Sequence, residues 1–171
     1  MTNVEILVED NRWASINLEE LVGNAFYQTL IELGYSKSDY FVSVLGCSDK
    51  KMRELNHTFR SKDTSTNVLS WPSRERLACV EGNHPKRLDP ALDAELGDIA
   101  LSYETCLEEA DQAKTNFAFY VQHLIIHGIL HLLGYDHSSD PDATLMEDLE
   151  RKILGNLSLR PHTQTWTKYS L

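Results

Sequence analysis

Residues 127–137 read HGILHLLGYDH, and this run limits the fold more tightly than any other stretch of the chain. His127 and His131 are four apart, so on a helix their side chains lie one above the other on one face and can share an ion. Gly134 tolerates positive φ, the usual way a helix stops. The chain beyond it can then turn back, so that His137 approaches the same point from outside the helix. A helix end and the turn after it must therefore meet at one centre. Three imidazoles leave one tetrahedral position open, which is the arrangement of catalytic rather than closed structural zinc. The spacing predicts one Zn2+ per chain on His127, His131 and His137.

His123 lies four residues before His127 on the same stripe. Eight residues of helix span about 12 Å, so His123 and His131 cannot both reach one ion at about 2 Å. His137 follows the C-terminal end of the helix, which selects His127 and His131 and leaves His123 to support the ligands or the core. Asp136, in the turn before His137, is a second candidate for orienting an imidazole, against the alternative that it bonds local backbone. Asp98, after Gly97, is read as a turn residue at a strand start rather than a cleft residue. A zinc peptidase helix carries a glutamate directly after its first histidine, and this chain has Gly128 there. Proteolysis by that route is disfavoured, although the longer pattern with a glycine before the third histidine keeps the site zincin-like. Zinc lowers the pKa of bound water to about 7, so a hydrolase needs no carboxylate helper. Met146 fits the period of the last helix and is read as core.

The 171 residues fit one domain, 1–171, and 42% hydrophobic with 25% charged residues is ordinary globular composition, enough for a real core. Acidic residues stand in the N-terminal stretch where a signal peptide would be basic, and the apolar run Leu124 to Leu133 is too short to span a bilayer. A cytoplasmic, non-membrane protein is expected. Cys47, Cys79 and Cys106 are odd in number and widely spaced, as reduced thiols are. A net charge of −10 opposes nucleic-acid binding over most of the surface. The exception is the segment from Lys50 to Lys62, where Lys50, Lys51, Arg53, Arg60 and Lys62 face Glu54 alone. Taken by itself, that cluster describes a solvated helix face.

Hydrophobic period and punctuation predict strands over 4–8, 41–45, 66–71 and 99–101, and helices over 18–33, 50–58, 103–113, 117–133 and 140–154. Ser48 or Asp49 caps the second helix, Met52, Leu55 and Phe59 form its buried side, and Arg60 follows its end. Residues 73–94, with Gly82, Pro85 and Pro90, have no clean period; so long a loop in a compact domain is a candidate mobile, functional segment. The tail beyond Gly155 is expected to be irregular.

HGILHLLGYDH, together with LNHTFRSKDTSTNVLSWP at 55–72 and ELGDIALS at 95–102, resembles the YbeY family of bacterial ribosomal-RNA maturation factors, described as metal-dependent endoribonucleases. The three blocks stand in the family's order and, with the chain length, cover most of the protein. Trp71 replaces the phenylalanine expected after Leu69-Ser70, a change that conserves bulk. The resemblance implies a single α+β domain, in our reading a small mixed sheet of about four strands with about five helices. It also implies a three-histidine site usually taken to be zinc and an essential arginine in the second block, here Arg60. With it, Arg60 becomes a phosphate clamp, Lys50, Lys51, Arg53 and Lys62 become RNA-binding candidates, and ribosomal RNA and ribosome-associated proteins become the expected partners. The expected activity is zinc-dependent hydrolysis of RNA phosphodiesters in ribosomal-RNA maturation and ribosome quality control. Two alternatives stand beside it: a metal-dependent hydrolase of a peptide or amide, and a non-catalytic ribosome assembly factor with a structural metal.

Overall fold

The computed structural model describes residues 3–157. Four strands, β1 (Val4–Val8), β2 (Phe41–Cys47), β3 (Val68–Pro72) and β4 (Glu95–Ser102), form one mixed sheet in the order β1-β2-β4-β3. β1, β2 and β4 run parallel, and β3 pairs antiparallel with β4 at the edge. The helices are α1 (Leu18–Glu32), α2 (Asp49–Arg60), the single turn α3 (Pro90–Asp93), α4 (Tyr103–Gln112), α5 (Phe117–Leu132) and α6 (Asp140–Asn156), with a 3-10 segment at Asn11–Ile16. This is the expected α+β class, with five helices of ten or more residues.

Alternation along the strands gives the sheet two faces. Val42, Val44, Leu96, Ile99 and Leu101 share the main core with residues of α1, α5 and α6, whereas Leu69, Ala100 and Cys47 meet Met52 of α2 in a smaller cluster on the other side. α5 is apolar nearly all round, which is the pattern of a central helix rather than a surface one, and twelve of its residues are buried. A Cβ at Gly128 would lie 3.0 Å from Ile99 Cδ1, so the glycine lets α5 lie directly on β4.

Several boundaries move from their expected places because tertiary pairing extends what the local period begins. β4 starts at Glu95, so Asp98 lies inside the strand opposite Trp71 rather than in a starting turn. Ser48 caps α2 by accepting from Lys51 N–H at 3.4 Å, and Arg60 is the last helical residue. Phe59 keeps the apolar spacing of Met52 and Leu55 but passes the end of the sheet, and it is 61% exposed where a buried side chain was expected. Residues 73–94 are joined to the helical layer: Gly82 N–H donates to Asp142 at 2.8 Å, Arg87 to the Gly34 carbonyl at 2.6 Å, and His84 Nδ1 lies 2.8 Å from the Tyr135 hydroxyl. Within the described residues no helix is long and apolar enough to cross a membrane. The irregular tail expected beyond Gly155 lies almost wholly outside the described residues, and α6 itself continues to Asn156.

Candidate metal centre

α5 begins at Asn116, whose side chain accepts from Phe119 N–H at 3.1 Å. It ends in a Schellman motif: Gly134 at φ +96° donates to the His131 carbonyl, and Tyr135 N–H donates to the Leu130 carbonyl, each at 3.0 Å. The turn is locked from below. A Cβ on Gly134 would fall 2.2 Å from the Arg76 carbonyl oxygen, and the buried Arg76 guanidinium donates to the Leu132 carbonyl at 3.1 Å. This stop directs the chain back over the helix end with Asp136 and His137 in the return.

The structure brings His127, His131 and His137 together, with one ligand atom from each within 4.8 Å of the others. Their ring centroids are 4.5, 5.3 and 5.0 Å apart. His127 is buried, His131 half-buried and His137 exposed, so the group opens to solvent on one side. Two acceptors fix the tautomers. His127 Nδ1 lies 2.7 Å from Glu150 Oε1, and His131 Nδ1 lies 3.0 Å from the Tyr135 carbonyl. A carboxylate and a carbonyl can only accept, so both Nδ1 atoms carry a proton, and the Nε2 atom of a neutral ring presents its lone pair. Those Nε2 atoms face each other at 3.0 Å. A proton shared between the two rings satisfies that distance as a hydrogen bond, and an ion would too, since zinc–nitrogen bonds of about 2.0 Å at a tetrahedral angle hold nitrogens about 3.3 Å apart. The donor set fits a divalent ion of the zinc class.

Burial, and then the neighbouring His127 and His137, lower the His131 pKa to about 4, so its ring is neutral at ordinary pH and free to ligate. Burial alone would raise Glu150. Hydrogen bonds from His123 and His127 overcome that and hold it at about 2. His123 stands outside the triad, with Nε2 2.9 Å from the other Glu150 oxygen. Asp136 would also be raised by burial, but the hydroxyl of Ser138 and the backbone N–H of His137 bring its pKa below the usual carboxylate value.

Arg60, Lys50, Arg53 and Lys62 are exposed, and Lys51 approaches Glu54 at 3.9 Å. All lie on or just after α2, on the sheet face away from α5. Glu150 was not singled out from sequence, although Met146, Glu150 and Ile153 follow a helical apolar spacing that puts a carboxylate on the core stripe of α6. Arg76 left no such signal, because nothing in the 73–94 composition distinguishes it from the other basic residues.

A mixed sheet backed by a buried helix whose end gathers three imidazoles defines an α+β domain with a histidine cluster that could hold a metal ion. The sequence model of the family described as Endoribonuclease YbeY matches residues 4–158, and the chain belongs to that family. It is 46% identical over 158 residues to an Endoribonuclease YbeY of Ruegeria sp., covering 91% of this chain and 93% of the relative. It is 47% identical to that of Dinoroseobacter shibae, covering 91% and 87%. A solution structure of a Thermotoga maritima protein superposes with a TM-score of 0.57 at 27% identity, over 88% of this chain and 86% of the other.

Proposed function

We propose that this chain is a zinc-dependent endoribonuclease that hydrolyses RNA phosphodiesters during ribosomal-RNA maturation and ribosome quality control in the cytoplasm. Its family and its relatives of more than 40% identity carry the endoribonuclease name. The observation that carries the metal assignment is the convergence of the three rings, with one ligand atom from each within 4.8 Å of the others and the Nδ1 atoms of His127 and His131 engaged elsewhere. His127, His131 and His137 hold the ion. When bound, it supplies Lewis acidity toward a phosphoryl oxygen and a hydrolytic nucleophile near neutral pH.

The protein side chains then have separate tasks. Glu150 and the Tyr135 carbonyl keep two rings aimed at the centre. Arg60 offers a planar, permanently charged fork to phosphate oxygens and stabilises charge that develops there. Lys50, Lys51, Arg53 and Lys62 bind the backbone of ribosomal RNA, locally offsetting a chain of net charge −10. His123 and Asp136 support the ligands. Peptide hydrolysis is the weaker reading, since Gly128 is pressed against Ile99 where a catalytic glutamate would otherwise stand. A purely structural metal is weaker too, because the cluster among the described residues has three ligand side chains, the number of a catalytic site.

The test is single-turnover cleavage of a structured ribosomal-RNA fragment by wild type, by His131→Ala and by chelated wild type with and without added zinc. Cleavage by wild type alone, lost on chelation and restored by zinc, is the expected result. Equal cleavage by all preparations would trace the activity to contamination and overturn the proposal.

A further inference from the structure

Two of the three imidazoles take their places from a regular helix, because His127 and His131 stand about one turn apart in α5. His137 has no such support. It lies three residues beyond Gly134, which is at φ +96°, so its position depends on how the chain leaves the helix. The carbonyls of a last helical turn have no partner within the helix, and the groups that meet them set the exit. Those of Leu130 and His131 are met locally, by the N–H groups of Tyr135 and Gly134 at 3.0 Å each. The Leu132 carbonyl is met from 56 residues earlier in the chain, by Nη1 of Arg76 at 3.1 Å. A cation at that end also complements the helix dipole.

The same guanidinium ties the helix end to the start of β4. Nη1 also donates to the Leu96 carbonyl at 3.3 Å, and Nη2 donates to the Glu95 carbonyl at 3.3 Å and to Ser73 Oγ at 2.9 Å. Asp93 of α3 neutralises the charge, with one carboxylate oxygen 3.2 Å from both Nε and Nη2. The Arg76 side chain is only 5% exposed, so these partners hold the charge in place of water. Its backbone meets the turn as well: a Cβ on Gly134 would stand 2.2 Å from the Arg76 carbonyl oxygen and 2.8 Å from the Arg76 Cβ. Arg76 therefore touches Leu132 with its side chain and Gly134 with its backbone. A guanidinium presents five N–H donors in a rigid fork and can span acceptors on β4, α3 and α5 together, whereas an ammonium is a single point with three.

We propose that Arg76 is a positioning residue for the third metal ligand: by capping α5 and backing Gly134, it holds the turn that brings His137 to His127 and His131. The proposal rests on the three-histidine metal assignment above and adds the group that assembles it. Arg76 acts through the backbone of residues 132–134 and is not itself a ligand. An arginine that only stabilised the fold would raise the melting temperature and leave zinc affinity alone.

The experiment is a double-mutant cycle on zinc affinity, measured by competition with a chromophoric chelator for wild type, Arg76→Lys, His137→Ala and the double variant. Circular dichroism and the melting temperature of each metal-free protein are recorded alongside. Arg76→Lys should bind zinc about 10–100-fold more weakly, the range for a lost partner behind a ligand. In the His137→Ala background the same substitution should change affinity by about twofold or less, because the ligand it positions is gone. Zinc affinity in Arg76→Lys equal to that of wild type, or a loss of equal size in both backgrounds, would overturn the positioning role. If Arg76→Lys does not fold, Asp93→Ala, which frees the fork from its carboxylate, takes its place in the cycle with the same two outcomes. Wild type that binds no zinc, or loses no affinity with His137→Ala, overturns the three-histidine assignment itself and the proposal with it.

Discussion

Glu150 on α6 lies 2.7 Å from Nδ1 of His127 on α5, twenty-three residues earlier in the chain, and its second oxygen lies 2.9 Å from Nε2 of His123. One buried carboxylate therefore fixes a ring of the triad and is itself held by an imidazole outside it. Glu150→Gln keeps the shape but offers one acceptor oxygen in place of two. Zinc affinity, measured by competition with a chromophoric chelator, should fall about 10–100-fold, the range found when a partner behind a histidine ligand is lost. An unchanged affinity with only a lower melting temperature would reduce Glu150 to a packing role.

Metal removal should be visible in stability. A ligand that binds only the folded chain stabilises it by about 2.7 kcal/mol at a hundredfold excess over Kd. For a domain of this size that corresponds to about 5–10 °C in melting temperature. Calorimetry of chelated protein titrated with zinc should show this rise for wild type and none for His131→Ala.

Acidification should destabilise the metal-free protein. His131 takes up its proton at about 4 in the folded chain against 6.5 for the free side chain, so between those values the unfolded state binds more protons and stability falls as pH falls. Glu150, at about 2 against 4.5, acts in the same direction over the lower window. The His131 contribution is on the order of 3 kcal/mol, since each pKa unit is worth about 1.4 kcal/mol. Urea midpoints of chelated protein between pH 7 and pH 4 should trace this loss, and His131→Ala should flatten it.

Arg60→Lys keeps the charge and loses the planar fork. If Arg60 meets the phosphate most closely in the transition state, single-turnover cleavage should drop about a hundredfold or more, with binding reduced much less and metal content unchanged. Equal losses in binding and cleavage would make Arg60 a simple docking charge.

What could be read from the sequence was what lies close along the chain. The His127–His131–His137 convergence spans eleven residues and is written in helical spacing and one glycine, and β1 and α1 follow their hydrophobic period to within a residue of Val4–Val8 and Leu18–Glu32. Phe59 was misplaced because its burial depends on where a sheet formed from distant strands comes to an end. Asp98 was misread because β4 is lengthened by pairing with β2 and β3, which Gly97-Asp98 alone does not announce. Arg76 and Glu150 act across 56 and 23 residues, and only the folded chain reveals their partners.

All four strands precede residue 103, whereas α5 and both groups that hold its histidine rings follow residue 116. A chain emerging from the ribosome N-terminus first presents every strand before α5, the helix that lies on β4, has emerged. During that interval Val42, Val44, Ile99 and Leu101 have α1 but neither α5 nor α6 to pack against. Arrival of α5 closes that surface and delivers the first two imidazoles in the same event. The ability to hold a metal thus reports that synthesis has passed the point at which the sheet is shielded.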